Sequence, residues 1–329
     1  MKEARFYETL PNEAVQCHLC PHECVIRDGK RGVCGIRENQ KGILYSTIYE
    51  EITSRGVDPV EKKPLYHFYP GSEAYSVGTL GCNLSCSFCQ NWEISQGSVP
   101  TYRMTSHEIV EATEYRKCMS IAYTYNEPSV WYEFVYDTAA LAREHGINNV
   151  LVTNGYINEE PLKELLPFID AMNIDVKAFT DSFYKELCHG KLDPVLKTAE
   201  MAKKSTWVEI TTLIIPGKND SDREIEELVS WVASSLGEDT PLHFSRYYPS
   251  YHLHIPPTDI ETLERARSLA LKELRYCYIG NVWNHEGDNT YCYNCGNTLI
   301  TRRGFSASIV GITEERTCCN CGARIDIVL

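Results

Sequence analysis

Gly81-Cys82-Asn83-Leu84-Ser85-Cys86-Ser87-Phe88-Cys89-Gln90-Asn91 follows directly on an apolar run at 74–80. That run has the length of a strand, and Gly81 ends it. Three cysteines therefore share one loop at a strand end, separated by three residues and then by two. The same punctuation recurs downstream. A second run at 120–125 is stopped by Asn126-Glu127-Pro128, after which Val130, Phe134, Ala139 and Leu141 recur near helical spacing until His145-Gly146. Further strands are predicted at 149–153, 171–177, 208–215, 242–247 and 277–282. Helical stretches at 181–187, 193–204, 221–237 and 258–275 lie among them.

Repeated strand–helix units imply parallel strands joined by crossovers. The count suits an α/β fold with an open, partial (β/α)6 TIM-like barrel better than a closed eight-fold one. Polar and Gly-rich residues fall after the strands, on the edge that carries chemistry in such folds. The chain ends break this pattern. We expect a Cys-rich, metal-binding N-terminal segment at 1–66, the barrel at 67–283 and a compact zinc-ribbon-like domain at 284–329.

The 329 residues are 43% hydrophobic, enough for a sizeable core. A formal net charge of −13 argues against a nucleic-acid-binding surface, which needs clustered Lys and Arg. No apolar run approaches the roughly 20 residues of a membrane span. The start, Met-Lys-Glu-Ala-Arg, leads into polar sequence without a signal-peptide core. The expectation is a cytoplasmic protein. Fifteen cysteines in a reducing compartment point to metals rather than disulfides. Cys118, Cys188 and Cys277 stand apart from the clusters and read as small buried hydrophobes.

Three thiolates on one loop can ligate three irons of a cubane. The loop offers no fourth cysteine, so one iron is left open to a chelating group such as an amino acid's amine and carboxylate. The C-x-x-x-C-x-x-C loop, with Phe88 before its last cysteine, resembles the signature of the radical S-adenosylmethionine (SAM) superfamily. The resemblance implies a [4Fe–4S] cluster on Cys82, Cys86 and Cys89. The cluster would reductively cleave SAM to a 5′-deoxyadenosyl radical that abstracts hydrogen from a substrate. It also implies an electron donor of the ferredoxin or flavodoxin type, and adenine beside Phe88.

Later strand ends extend the resemblance. Thr124-Tyr125-Asn126-Glu127-Pro128 is similar to the superfamily segment that binds the SAM ammonium, with Tyr-Asn-Glu where many members have Gly-Gly-Glu. Thr153-Asn154-Gly155 and Asp175-Val176-Lys177 resemble the matching ends of pyruvate formate-lyase activating enzymes, where the lysine contacts the SAM carboxylate. Those enzymes usually carry Asp before Thr-Asn-Gly; here Val152 takes its place, which tells against a cation site like theirs. Asn126, Glu127, Thr153, Asn154, Asp175 and Lys177 are thereby candidate SAM contacts. Glu209, His243 and Arg246, on the next two strands, are candidates for the ribose or the substrate. Each has a plain structural reading too: Glu127 before Pro128 can start a helix, and Asp175 can pair with Lys177.

Cys292-Tyr293-Asn294-Cys295-Gly296 and Cys318-Cys319-Asn320-Cys321-Gly322 are two C-x-x-C-G knuckles. Together they make a four-thiolate zinc ribbon, with Cys319 spare; rubredoxin-like iron or an Fe–S cluster also fits four thiolates. Cys17, Cys20, Cys24 and Cys34 form a second four-cysteine set, which a zinc ion or an auxiliary [4Fe–4S] cluster would satisfy.

The wider chain resembles the radical SAM member of the AmmeMemoRadiSam system. The resemblance is carried by 17–37, 58–67, the cluster loop, 123–128, 211–220, 243–249 and the closing Cys pairs. It implies partners of the Memo and AMMECR1 types and leaves the substrate open. The first alternative is a glycyl-radical-enzyme activating enzyme of the pyruvate formate-lyase activase type, acting on a protein glycine. The second is a non-catalytic metal-binding interaction protein.

Overall fold

The structure is a computed structural model describing residues 1–283 and 285–329; the expected boundary at residue 284 falls on the position outside them. Its centre is one curved sheet of eight strands in sequential order. These are β1 (Ser54–Pro59), β2 (Glu73–Gly78), β3 (Ser120–Tyr123), β4 (Asn148–Thr153), β5 (Ala171–Asp175), β6 (Trp207–Ile214), β7 (Leu242–Arg246) and β8 (Cys277–Gly280). β2 to β8 pair in parallel, and β1 runs antiparallel along the edge of β2. Among the described residues there are thus seven parallel strands, one more than the six-fold label, and β1 comes from sequence expected in the N-terminal segment. Its Ser-Arg-Gly-Val-Asp-Pro sequence lacks an apolar alternation and ends in proline, which an edge strand tolerates.

Helices α1 (Ser106–Tyr115), α2 (Tyr132–Glu144), α3 (Glu159–Leu165), α4 (Leu192–Ala202), α5 (Asp222–Trp231) and α6 (Ile260–Ala270) lie between successive parallel strands. Their starts are chemically specified. Thr105 and Glu108 form a reciprocal capping box on α1, and Ser221 caps α5. Strand residues such as Ile121, Leu151, Ile174, Ile210 and Phe244 are fully buried against helix residues such as Phe134, Ala139, Val195 and Leu228 in one continuous core. That packing fixes the strands, and so fixes where their ends aim side chains.

The N-terminal 46 residues form two small three-stranded sheets against the α2 side of the barrel. They are held there by an Arg37–Glu133 ion pair of 2.6 Å in which both side chains are buried. The C-terminal residues form a three-stranded sheet (Thr290–Tyr291, Thr298–Arg303, Ser306–Ile309). Its core of Leu299, Ile300, Ile325 and Ile327 closes onto Tyr66, Tyr276 and Tyr278 of the barrel. The tail returns under the barrel, where Tyr69 N–H donates to Val328 O at 2.9 Å and Val328 N–H donates to His67 O at 2.8 Å. No helix among the described residues is long and apolar enough to cross a membrane.

Candidate functional site

The loop after β2 must turn hard to bring three cysteines over the barrel mouth. Gly81 makes this turn at φ +90°, and a Cβ there would lie 2.8 Å from the Cys34 carbonyl oxygen. Only glycine fits both the angle and the contact. The loop is pinned from two sides. The Asn126 side chain accepts from Thr79 N–H at 2.9 Å and donates to Leu80 O and Gly81 O. The backbone of Ser85 and Ser87 donates to Cys188 O and Leu187 O.

Cys82, Cys86 and Cys89 open onto a cavity at the C-terminal ends of the strands, with about 1040 Å³ of unfilled space that includes the open mouth. Phe88, Asn126, Glu127, Thr153, Asn154, Asp175 and Lys177 line it with them, as the sequence expected. So do Thr211, Leu213 and Ser245, which sequence reasoning missed; strand parity with Glu209 and His243 was the only signal for them. The buried Thr211 Oγ1 has no hydrogen-bond partner, which leaves it free for a ligand.

Glu127 has the structural role expected of it and a further one. It accepts from Ser129 N–H at 3.0 Å and so starts the short helix Pro128–Trp131. It also accepts from Thr153 Oγ1 at 2.7 Å and Asn154 N–H at 2.8 Å, which ties the ends of β3 and β4 together. Burial pushes its carboxyl up, against these donors. Tyr125, where the resembled motif has glycine, holds a left-handed φ of +73°. Its phenol donates to Asp58 at 2.5 Å and its ring lies 4.8 Å from the Lys63 ammonium, contacts that offset the strain.

The electrostatics fit a cationic centre on the sulfurs. Burial pushes the Cys82 and Cys89 thiols up, and the Glu127 charge pushes Cys82 further. Thiolates there need bound cations. Hydrogen-bonding groups already face all three sulfurs. Leu84 N–H and Asn154 Nδ2 reach Cys82 Sγ at 3.4 and 3.5 Å, and Ser95 Oγ lies 3.3 Å from Cys89 Sγ. The Cys188 thiol sits against Cys86 and holds it below the ordinary thiol range, while burial raises Cys188 itself. Cys188 is buried, as its isolation suggested, and packs against a cysteine of the loop. The Lys177 ammonium resists its burial because Asp175, at 2.9 Å, and the sulfurs of Cys86 and Cys188 hold it charged.

Glu209, His243 and Arg246 lie elsewhere. Glu209 faces inward like Thr211 and Leu213, but two to four residues earlier on β6, roughly 7 to 13 Å deeper. It is fully buried and accepts from Tyr66 N–H at 2.9 Å, His67 N–H at 2.8 Å and His243 Nε2 at 2.7 Å. Burial would raise its carboxyl, but these donors hold it below the usual range. Glu209 and His243 thus form the floor of the barrel. Arg246 follows Ser245 and so points to the opposite face, where it donates to Thr258 O and Tyr248 Oη.

The two flanking cysteine sets differ in spacing. Cys292, Cys295, Cys318 and Cys321 have all four sulfurs mutually within 4.8 Å, with pairs at 3.6 and 3.7 Å. A tetrahedral ion with Zn–S of about 2.3 Å sets its sulfurs about 3.8 Å apart, so this set can hold one metal ion. Cys319 is exposed, on the edge of the knuckle. Cys17, Cys20, Cys24 and Cys34 surround a cavity beside the Cys82 loop.

Comparisons with known proteins agree with this geometry. A profile of the radical SAM superfamily matches residues 76–232. An uncharacterized protein of Methanocaldococcus jannaschii is 52% identical over the full length of both chains. The pyruvate formate-lyase-activating enzyme of Clostridium pasteurianum is 26% identical over 59% of this chain and 86% of its own. The fold is shared with Streptococcus suis SuiB, solved bound to its precursor peptide SuiA, at a TM-score of 0.52 and 15% identity over 68% of this chain and 52% of that one. With the three-cysteine loop, the strand-end residues around it and the match over residues 76–232 in agreement, the chain is an enzyme whose barrel is of the radical SAM superfamily type.

Proposed function

We propose that Cys82, Cys86 and Cys89 hold a [4Fe–4S] cluster whose fourth iron receives SAM. When loaded, the site supplies the electron that splits SAM to a 5′-deoxyadenosyl radical, which takes hydrogen from a substrate. The observation that carries this reading is the convergence of three thiols, one buried and two half-buried, and one held ammonium, Lys177, on a single strand-end cavity. Lys177 suits the SAM carboxylate as a charge-assisted donor. Glu127 suits the SAM ammonium, Thr211 Oγ1 a ribose hydroxyl, and Phe88 the adenine. Asn126, Thr153 and Asn154 act by holding the loop and Glu127 in place. The four C-terminal thiolates hold a structural zinc.

The system is proposed to be AmmeMemoRadiSam, with partners of the Memo and AMMECR1 types and a flavodoxin- or ferredoxin-type donor. A second reading, a glycyl-radical-enzyme activating enzyme, is favoured by the name of the Clostridium pasteurianum relative. The superfamily match leaves the non-catalytic reading without support. The test is anaerobic reconstitution with iron, sulfide and a reductant, followed by assay for 5′-deoxyadenosine. Wild type should form it and Cys86→Ala should not. Its absence from wild type carrying the cluster would overturn the proposal. A protein-bound glycyl radical appearing on a co-incubated partner would decide for the second reading.

A further inference from the structure

The N-terminal thiols Cys17, Cys20, Cys24 and Cys34 border one partly open cavity with about 330 Å³ of unfilled space, its mouth included, lined also by Leu19, Ile26, Val130 and Arg37. The C-terminal set provides a yardstick for one ion, with all its sulfurs within 4.8 Å of each other. Among the described residues no three of the N-terminal sulfurs meet that criterion, and neither do Cys82, Cys86 and Cys89. In neither the N-terminal set nor the cluster loop, then, are the sulfurs gathered as tightly as around one ion. A cubane places a separate iron behind each thiolate and so holds its sulfurs farther apart than a single ion does.

A second observation marks the cavity as a site for an anionic centre. Arg37 is 1% exposed and lines the cavity, yet its Nε and Nη1 have no hydrogen-bond partner. Only its Nη2 is engaged, by Glu133 and the Arg5 carbonyl. A buried guanidinium with idle donors needs an acceptor. Four thiolates around a cubane provide one, with a net negative charge to match.

The position relative to the catalytic loop suggests a purpose. Gly81 packs against the carbonyl of Cys34, so a contact path runs from one set of sulfurs through Cys34, Gly81 and Cys82 to the other. His22 Nε2 lies 2.7 Å from Asn83 O, and Asn158, just before α3, bonds the backbone of His18 and Leu19. The two loops thus form one hydrogen-bonded unit.

We propose that Cys17, Cys20, Cys24 and Cys34 hold a second [4Fe–4S] cluster, which relays single electrons to the catalytic one. A reduced low-potential flavin or iron–sulfur protein gives up one electron, and the N-terminal cluster goes from the 2+ to the 1+ state. It returns to 2+ as the catalytic cluster takes the electron, with no bond made or broken. The relay rests on the radical SAM reading above; the cluster itself does not.

Iron, sulfide and zinc counts on the reconstituted full chain test the site. The expected content is about eight irons and one zinc, whereas about four irons and two zincs would overturn the proposal. The Cys82/Cys86/Cys89→Ala variant should keep about four irons and a reducible cubane signal that SAM does not alter. In Cys20/Cys34→Ser, loss of iron with zinc retained supports the assignment, and loss of zinc with iron retained overturns it. The same variant tests the relay. Formation of 5′-deoxyadenosine driven by flavodoxin should fall at least about tenfold more than formation driven by dithionite. Equal losses with the two reductants would overturn the relay. These metal counts remain decisive even if wild type makes no 5′-deoxyadenosine.

Discussion

Asn154 donates its side-chain N–H to the Cys82 sulfur across 3.5 Å, while its own backbone N–H is held by Glu127 at 2.8 Å. One residue at the end of β4 thus couples the strand that orients Glu127 to a sulfur of the cluster loop. Donors to cluster sulfurs stabilise the reduced, more negative state and raise the potential. Asn154→Ala should lower the midpoint potential of the catalytic cluster by an amount on the order of tens of millivolts. An EPR-monitored redox titration checks this. An unchanged potential would mean that the Asn154 side chain serves only its bonds to Asn83 and Tyr156, of 2.9 and 2.8 Å.

Cys188 gives a sharper contrast, because serine can take its place as a donor. Its thiol abuts Cys86, one of the three proposed cluster ligands. Cys188→Ala should keep the full iron content and lower the potential, and Cys188→Ser should restore most of the difference. Loss of iron in Cys188→Ala would instead show that this cysteine is a ligand.

The floor of the barrel should answer to stability rather than to SAM. Glu209→Gln keeps the shape but brings an NH₂ group either against Tyr66 N–H and His243 Nε2 or against His67 N–H and Trp207 Nε1. Breaking such a buried, charge-assisted cluster costs about 3 to 5 kcal/mol. Denaturant unfolding should show that loss while the KM for SAM in folded protein stays at the wild-type value. A raised KM without lost stability would return Glu209 to the SAM site.

His67 should make stability depend on pH. Its ring is enclosed, with Nδ1 2.6 Å from Asp326 O and Nε2 2.5 Å from Tyr278 Oη. Burial pushes the imidazole down to about 4, with Arg302 adding to the effect and Glu209 opposing it. The unfolded chain then takes up a proton near pH 6.5 that the folded chain refuses until about 4, so stability falls as pH drops through that window, by roughly 3 kcal/mol at most. Nearby Asp288 has the opposite sign: burial raises it to about 7, so the folded state gains as pH falls below that value. Comparing wild type with His67→Gln by denaturant unfolding across the window isolates the histidine. Parallel pH profiles would refute its role.

Much of this was legible because each strand announces its end. Apolar runs closing on Gly81, Asn126-Glu127-Pro128, Thr153-Asn154-Gly155 and Lys177 placed the chemical groups on one edge before any coordinates did. Side-chain parity was legible, but the partners waiting at each depth were not. Glu209 and Thr211 share a face, and the structure shows the glutamate claimed by Tyr66, His67 and His243 at the floor while the threonine lines the mouth. The register of Cys188 against Cys86 was equally hidden, since a π-helical turn at Tyr184–Cys188 creates it and no local pattern encodes that turn. Ser54–Pro59 escaped notice because an edge strand needs no buried face to betray it.

The tail tucked beneath the barrel has a further consequence. With Val328 bound to the backbone of His67 and Tyr69, and Glu209 and His243 filling the bore, the described residues close the end of the barrel opposite the strand-end cavity. The cavity opens at the strand tips, so under the proposed reading a ligand seated deepest against the three cysteines enters before the one that covers it and leaves after it.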